Sequence, residues 1–317
     1  MLRRLLFASV AVLVLAVSAE SFAAAKTQGV YVRAIEGMKA GIAQTTPKVE
    51  AALKGAGFTV LASYDNGAPE GCKSKATTIV FTRDDYASKV LAGGQDKGFA
   101  LPLRISLYED DKGLNVAMMN PVSVDRTIFQ GGSMDDAAQK VVDEVMAAMK
   151  AVGSVQPKQA GEMRDTGAIT GMGGGPFPEK VTPVASSAKS PSEVADLLKS
   201  GVNDHAGWHV IYVYKPSDAV AIVGVTKMKT EARAFGIAGE KRATGSCPFP
   251  GLDHAAAFPV ELVISKKGAT STVSLVKEMW RMKLYFQDAG NWAFMKNMSM
   301  PGDIQSEIEA AVKKAVK

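Results

Sequence analysis

The sequence predicts an α+β fold of two repeated domains, each an antiparallel sheet with helices on one face. Three observations carry this. The stretch Leu101-Pro-Leu-Arg-Ile-Ser-Leu-Tyr-Glu-Asp-Asp-Lys-Gly-Leu-Asn-Val-Ala-Met-Met119 alternates apolar and polar residues about an acidic, glycine-closed turn, the signature of a β-hairpin. A second version starts at Phe258-Pro-Val-Glu-Leu-Val-Ile-Ser-Lys-Lys-Gly268. Without a gap, Pro102 falls on Pro259, Val116 on Val273, Phe129 on Phe286 and Gln130 on Gln287. Around both hairpins the order of elements is the same: strand, helix, about four strands, helix. The early helix and the long closing helix suit an antiparallel sheet covered on one side.

The N-terminus comes first in the chain. Arg3-Arg4 precede an apolar run from Leu5 to about Ala19, followed by Ser21-Phe-Ala-Ala-Ala25. This is the charged, apolar and small-residue pattern of an export signal, with cleavage expected near Ala23 to Ala25. The run of about fifteen residues falls short of the roughly twenty that a spanning helix needs, so a retained anchor is disfavoured. No later segment is apolar enough to span a membrane. The mature chain is expected in the periplasm or secreted.

The expected domains are residues 26–152 and 181–317. In the first, Gly29–Ile35 reads as a strand, and Thr46-Pro47 as the cap and first position of a helix with an apolar stripe at Val49, Ala52, Leu53 and Ala56. Phe58–Tyr64 and Thr77–Thr82 read as strands and Asp84–Leu91 as a short helix. Ser133-Met-Asp-Asp136 resembles a capping box opening a helix with Ala138, Val141, Val142, Val145 and Met149 on one face. Residues 153–180, rich in Gly and Pro and ending in Gly171-Met-Gly-Gly-Gly-Pro-Phe-Pro178, read as a linker rather than a phosphate-cradling loop, because no strong strand precedes them.

The second half repeats the order. Val181–Ser187 is a weak strand, Ser190-Pro191-Ser192-Glu193 a capping box, and Trp208–Tyr214 and Ala219–Thr226 are strands. A charged helical insertion is expected at about Lys229–Arg242, a long second hairpin strand over Thr270–Phe286, a further strand at Trp292–Met300, and a final helix opened by Pro301.

The first half, from helix and Gly57-Phe58 through Leu-Pro-Leu-Arg-Ile-Ser-Leu-Tyr-Glu-Asp110 to Asn120-Pro121, resembles the family known as domain of unknown function 302. The resemblance covers about residues 29–150. The second half is a degenerate match that keeps Pro259 but has Lys277-Glu278 in place of Asn-Pro. The resemblance implies a TATA-binding-protein-like sheet and no particular activity.

Composition narrows function. The chain has 317 residues, 47% hydrophobic and 22% charged, with a net charge of +5. Its basic residues are scattered, which excludes the clustered surfaces of nucleic-acid binders. Cys72 and Cys247 could form one disulfide in an oxidising compartment, or stay separate thiols. Fifteen methionines and an export signal invite a copper(I) or other metal site. Met298 and Met300 would share a strand face, and His205 and His209 are four apart, although core packing and loop positions explain these residues more simply. His254 reads as an exposed loop histidine. Arg104 and Glu261 occupy matching repeat positions, where a solvated sheet face is expected and a pair across a domain interface is the alternative. On the long second-half strand, Met279, Arg281, Lys283 and Tyr285 would line one face, a candidate ligand or partner surface. No nucleophile elbow, metalloprotease helix or Cys-x-x-Cys pair occurs, and no cofactor is implied. The leading expectation is a non-enzymatic exported protein that binds a small ligand or a periplasmic protein. A metal-handling protein and an enzyme of unidentified type are the alternatives.

Overall fold

The computed structural model describes residues 27–165, 167–203, 205–240 and 251–317, with the side chains of Asn291 and Phe294 excepted. The expected export signal and Cys247 lie outside these residues. The first sheet has six strands in the order β2-β3-β4-β5-β1-β6 and the second has five in the order β7-β11-β10-β9-β8. All neighbours in both are antiparallel.

In the first half β1 (Gln28–Met38) is followed by α1 (Ile42–Gly55), β2 (Thr59–Asp65), β3 (Ala76–Thr82) and α2 (Asp84–Ala92). A 3-10 turn over Gln95–Ala100 leads into the hairpin β4 (Leu103–Asp110) and β5 (Gly113–Met119). Then come α3 (Pro121–Phe129) and α4 (Asp135–Met149). The second half runs β7 (Val181–Ser187), α5 (Pro191–Gly201), β8 (His209–Ser217), β9 (Val220–Thr226), α6 (Met228–Gly239) and a 3-10 turn over Gly251–Ala257. The hairpin β10 (Val260–Lys267) and β11 (Thr270–Val276) follows, then α7 (Glu278–Phe286), α8 (Asn291–Lys296) and α9 (Ser299–Ala315).

The second sheet repeats the strand order of the first, with β7 in the place of β1. Both hairpins and the helices after them recur at one spacing of 157 residues, the separation of Arg104 from Glu261. The α+β class and the helix-covered sheets follow the sequence. Leu103, Ile105 and Leu107 are fully buried on one face of β4, whereas Arg104 on the other face reaches the second half. The two sheets therefore meet through their helix-free faces.

Several elements differ from expectation for identifiable reasons. Helix α1 starts a turn before Thr46: Thr45 and Thr46 return their hydroxyls to Gly41 O and Ile42 O, and Pro47 sits inside the helix. The capping box expected of Ser133 and Asp136 does not form at α4: Met134 stands at the cap with no side-chain cap hydrogen bond, and Asp135 is bound by the Arg126 guanidinium. The Ser190–Glu193 capping box is present at α5. Residues 153–180 include a strand, β6 (Lys158–Arg164), which pairs with the outer edge of β1. The glycine-rich loop after it is packed rather than open. Trp280 Nε1 donates to Gly175 O at 2.9 Å, and Phe177 is fully buried. At Gly173, φ is +77° and a Cβ would stand 2.4 Å from Met279 Cγ, so only glycine fits.

Helix α6 is no insertion, since it holds the position of α2 between the third strand and the hairpin. The long strand expected over Thr270–Phe286 ends at Val276, and residues 278–286 are helix α7. In place of a strand over Trp292–Met300 stand the short helix α8, a turn at Asn297 and Met298, and the start of α9. Ile304, Ile308, Ala311 and Val312 face inward on α9 as expected. No helix among the described residues is long and apolar enough to cross a membrane.

Candidate functional site

The two halves meet through a buried polar core. Arg104 forms an ion pair with Glu261 and donates to Pro259 O at 3.0 Å. Its other amino group donates to Tyr285 OH at 2.6 Å, and its guanidinium lies 5.1 Å from the Tyr285 ring. Burial alone would discharge Arg104, but the Glu261 carboxylate outweighs it and raises the pKa. Arg281 binds both oxygens of Glu278, at 2.7 and 2.6 Å, and donates to Ala257 O at 2.7 Å. Arg164 on β6 donates to Leu284 O and Lys283 O at 2.8 and 2.6 Å, so it caps the carbonyl end of α7.

His254 is completely buried at this junction, not exposed on a loop. Its ring stacks on Phe286 at 5.2 Å and meets Tyr31 edge-on at 5.4 Å. Nδ1 lies 2.9 Å from Asp253 and Nε2 2.9 Å from Asp288. Burial pulls its pKa down, but the two carboxylates more than reverse this and push it up to about 9. Glu231 is a second perturbed group. Burial raises its pKa to about 7, against hydrogen bonds from Thr226, Gly67 N and Tyr64.

This core is packed. Its cavity, bounded by Phe177, Glu261, Trp280, Arg281 and Tyr285 among others, has about 20 Å³, room for roughly one water molecule. Substrate chemistry has no space there, and the polar groups serve to join the halves.

Open space lies on the helix-free face of the second sheet. A groove of about 480 Å³ runs between β7, β10, β11 and the 3-10 turn of the first half. Val263, Ser265 and Ser274 form its floor, Val181 and Pro183 one side, and Phe99 and Asp96 the other; Lys266 and Lys267 stand at the rim.

The sister position in the first half is filled, and the repeat register shows why. Tyr31 and Arg33 pair with Met119 and Ala117; Val181 and Pro183 pair with the counterparts of those residues, Val276 and Ser274. Tyr31 and Arg33 are thus replaced by Val181 and Pro183. Tyr108 is replaced by Ser265, and the covering residues His254 and Asp288 by Lys97 and Gly131. Lys97 turns away to Ile128 O at 3.1 Å. Each exchange removes volume or withdraws a side chain, and the groove is what remains.

The residues expected to act from one strand face do not share one. Met279, Arg281, Lys283 and Tyr285 lie on helix α7, where alternate residues are about 200° apart. Arg281 and Tyr285 are buried in the polar core, whereas Lys283 binds Thr170 O at 2.6 Å. Met298 is 50% exposed and Met300 is 2% exposed, so they do not share a face either. His205 lies in the turn before β8 and His209 opens that strand. Among the described residues, no group of three or more His, Cys, Asp or Glu side chains could hold a metal ion. Arg104 and Glu261 do meet across the interface, the alternative that the repeat positions allowed.

Sequence reasoning placed His254 on an exposed loop and did not reach Phe99 or the two groove serines. A usable signal was present: Gly94-x-Asp96 and Gly251-x-Asp253 each precede a repeat proline, Pro102 and Pro259, at equal distance. That recurrence marks the two 3-10 turns, each of which reaches across to the other sheet.

Residues 37–152 match the family model for the domain of unknown function DUF302. The DUF302 match runs from the end of β1 past α4 and includes the first hairpin. A solved structure of an uncharacterized conserved DUF302 protein from Bacillus stearothermophilus is similar at 15% identity, covering 39% of this chain and 98% of that one, with a TM-score of 0.33. No curated protein matches the chain.

Proposed function

We propose that this is an exported, non-catalytic binding protein. In this reading the second half is a diverged copy of the DUF302 domain, and its groove holds a small ligand. One observation carries the proposal: the face that Tyr108, with His254 and Asp288 laid over it, fills in the first half is left open in the second as a groove of about 480 Å³, within the size range of small-molecule sites. The pattern Arg3-Arg4, apolar run, Ala23-Ala-Ala25 supports export.

The test is a native mass spectrum of the mature chain purified from the periplasm of an expressing bacterium. The expected spectrum begins between Ala24 and Lys26 and shows an organic adduct. Ser265→Tyr, which restores the residue of the sister half, removes that adduct. An adduct that survives Ser265→Tyr places the ligand elsewhere, and a bare mass in both chains ends the small-ligand reading. The same spectrum reads the thiols, because a Cys72–Cys247 disulfide makes the chain two hydrogens lighter.

A further inference from the structure

Resting on the reading of the groove as a ligand site, we propose that its ligand is a small planar ring compound carrying a carboxylate. Three independent features of the groove select this chemistry.

The first is the floor. Ser265 and Ser274 are each 6% exposed and line the groove. Neither hydroxyl has a hydrogen-bond partner among the described residues. Neither is committed to a protein acceptor, so each hydroxyl is free to donate to a molecule in the open groove. A ligand with acceptor oxygens at the floor satisfies both, and a carboxylate offers two.

The second is charge. Lys266 and Lys267 stand at the rim and neither has an ion-pair partner among the described residues. The one acid of the lining, Asp96, lies 3.5 Å from Lys97. The uncompensated charge of the groove is therefore positive and favours an anion.

The third is shape. The floor is one face of a sheet, and Phe99, Val181 and Pro183 give it apolar sides, a slot that suits a ring. In the first half the corresponding place is filled by Tyr31 and Tyr108 of its own sheet and by Asp253, His254 and Asp288 reaching over from the second half. The Tyr31 and His254 rings lie there edge to face, and the carboxylates of Asp253 and Asp288 flank the imidazole. A flat ring with a carboxylate reproduces, over the second sheet, the ring and acid groups that cover the first.

The experiment is calorimetric titration of the mature full-length chain at low ionic strength with benzoate, 4-hydroxybenzoate and phenylacetate, beside the neutral benzamide and the non-aromatic acetate. The expected result is one-to-one binding of the ring acids. The amide and acetate should bind at least about tenfold more weakly, and the double variant Lys266→Gln/Lys267→Gln should lose about tenfold for the acids alone, the scale of two partly exposed charge contacts. Ser265→Tyr should abolish binding, with Val181→Tyr as a second filling variant should the first not fold.

If acids and amide bind equally and the lysine variant is unaffected, while a filling variant abolishes both, the carboxylate is wrong and the groove reading stands. If ring acids bind the filling variants as well as the natural chain, both fall. If none of the ring acids binds, the proposed class is overturned, and the periplasmic adduct alone decides the groove.

Discussion

His254 makes alkaline pH destabilising. In the folded chain its pKa is about 9, against an ordinary 6.5, because Asp253 and Asp288 hold the proton more strongly than burial expels it. Between those two values the folded state keeps a proton that the unfolded state has released. Stability is therefore fully supported below pH 6.5 and falls as pH rises to about 9. The span corresponds to roughly 3 kcal/mol. The assay is urea denaturation at pH 6, 7, 8 and 9, comparing the natural chain with His254→Gln. The glutamine keeps polar contact with the carboxylates but cannot titrate. The natural chain should lose roughly 3 kcal/mol relative to the variant between pH 6 and 9. Parallel curves for the two proteins over that range would refute the claim that a buried imidazolium joins the halves.

Three further outcomes follow from the same contacts. Glu231 is held protonated near neutrality, with a pKa of about 7, so Glu231→Gln should gain stability relative to the natural chain as pH rises from 4.5 to 7; denaturation at the two ends of that range reads it. Arg104→Met or Glu261→Met alone should cost about 3–5 kcal/mol by leaving a buried charge unpaired, while the double variant should recover most of it in chemical denaturation. Gly224→Ala should destabilise by about 1–3 kcal/mol, because a Cβ would lie 2.1 Å from the Tyr212 ring, and Tyr212→Val in the same chain should relieve the loss in a thermal melt.

The first hairpin was legible because apolar and polar residues alternate along it, although both faces of β4 are buried. Leu103-Ile105-Leu107 against Arg104-Ser106 fixed the first hairpin, and the second followed from the repeat. Helix α7 was misread because Glu278–Phe286 alternates large apolar residues with Arg and Lys, while its burial comes from contacts no local period records. These contacts are Arg104 on Tyr285, Gly175 on Trp280 and Arg164 on the terminal carbonyls. The repeat held the answer: Asn120 caps the N-terminus of α3 and Pro121 starts it, and the same register places Glu278 at the start of a helix. The groove was illegible for another reason. It is defined by side chains absent at Val181, Pro183 and Ser265, and their absence has meaning only beside the filled positions of the first half.

Arg104 and Glu261 stand at the same position of the two repeats and face each other. In a symmetric pair of identical chains that position meets its own copy, and the two charges are necessarily alike. Two arginines or two glutamates would then be forced together out of water, at a cost of several kcal/mol. Joining two copies in one polypeptide lets the position carry opposite charges. The pair then favours the union of unlike halves and opposes either half assembling with itself. Its specificity is a property of the covalent link, which supplies two sequences where symmetry would allow one.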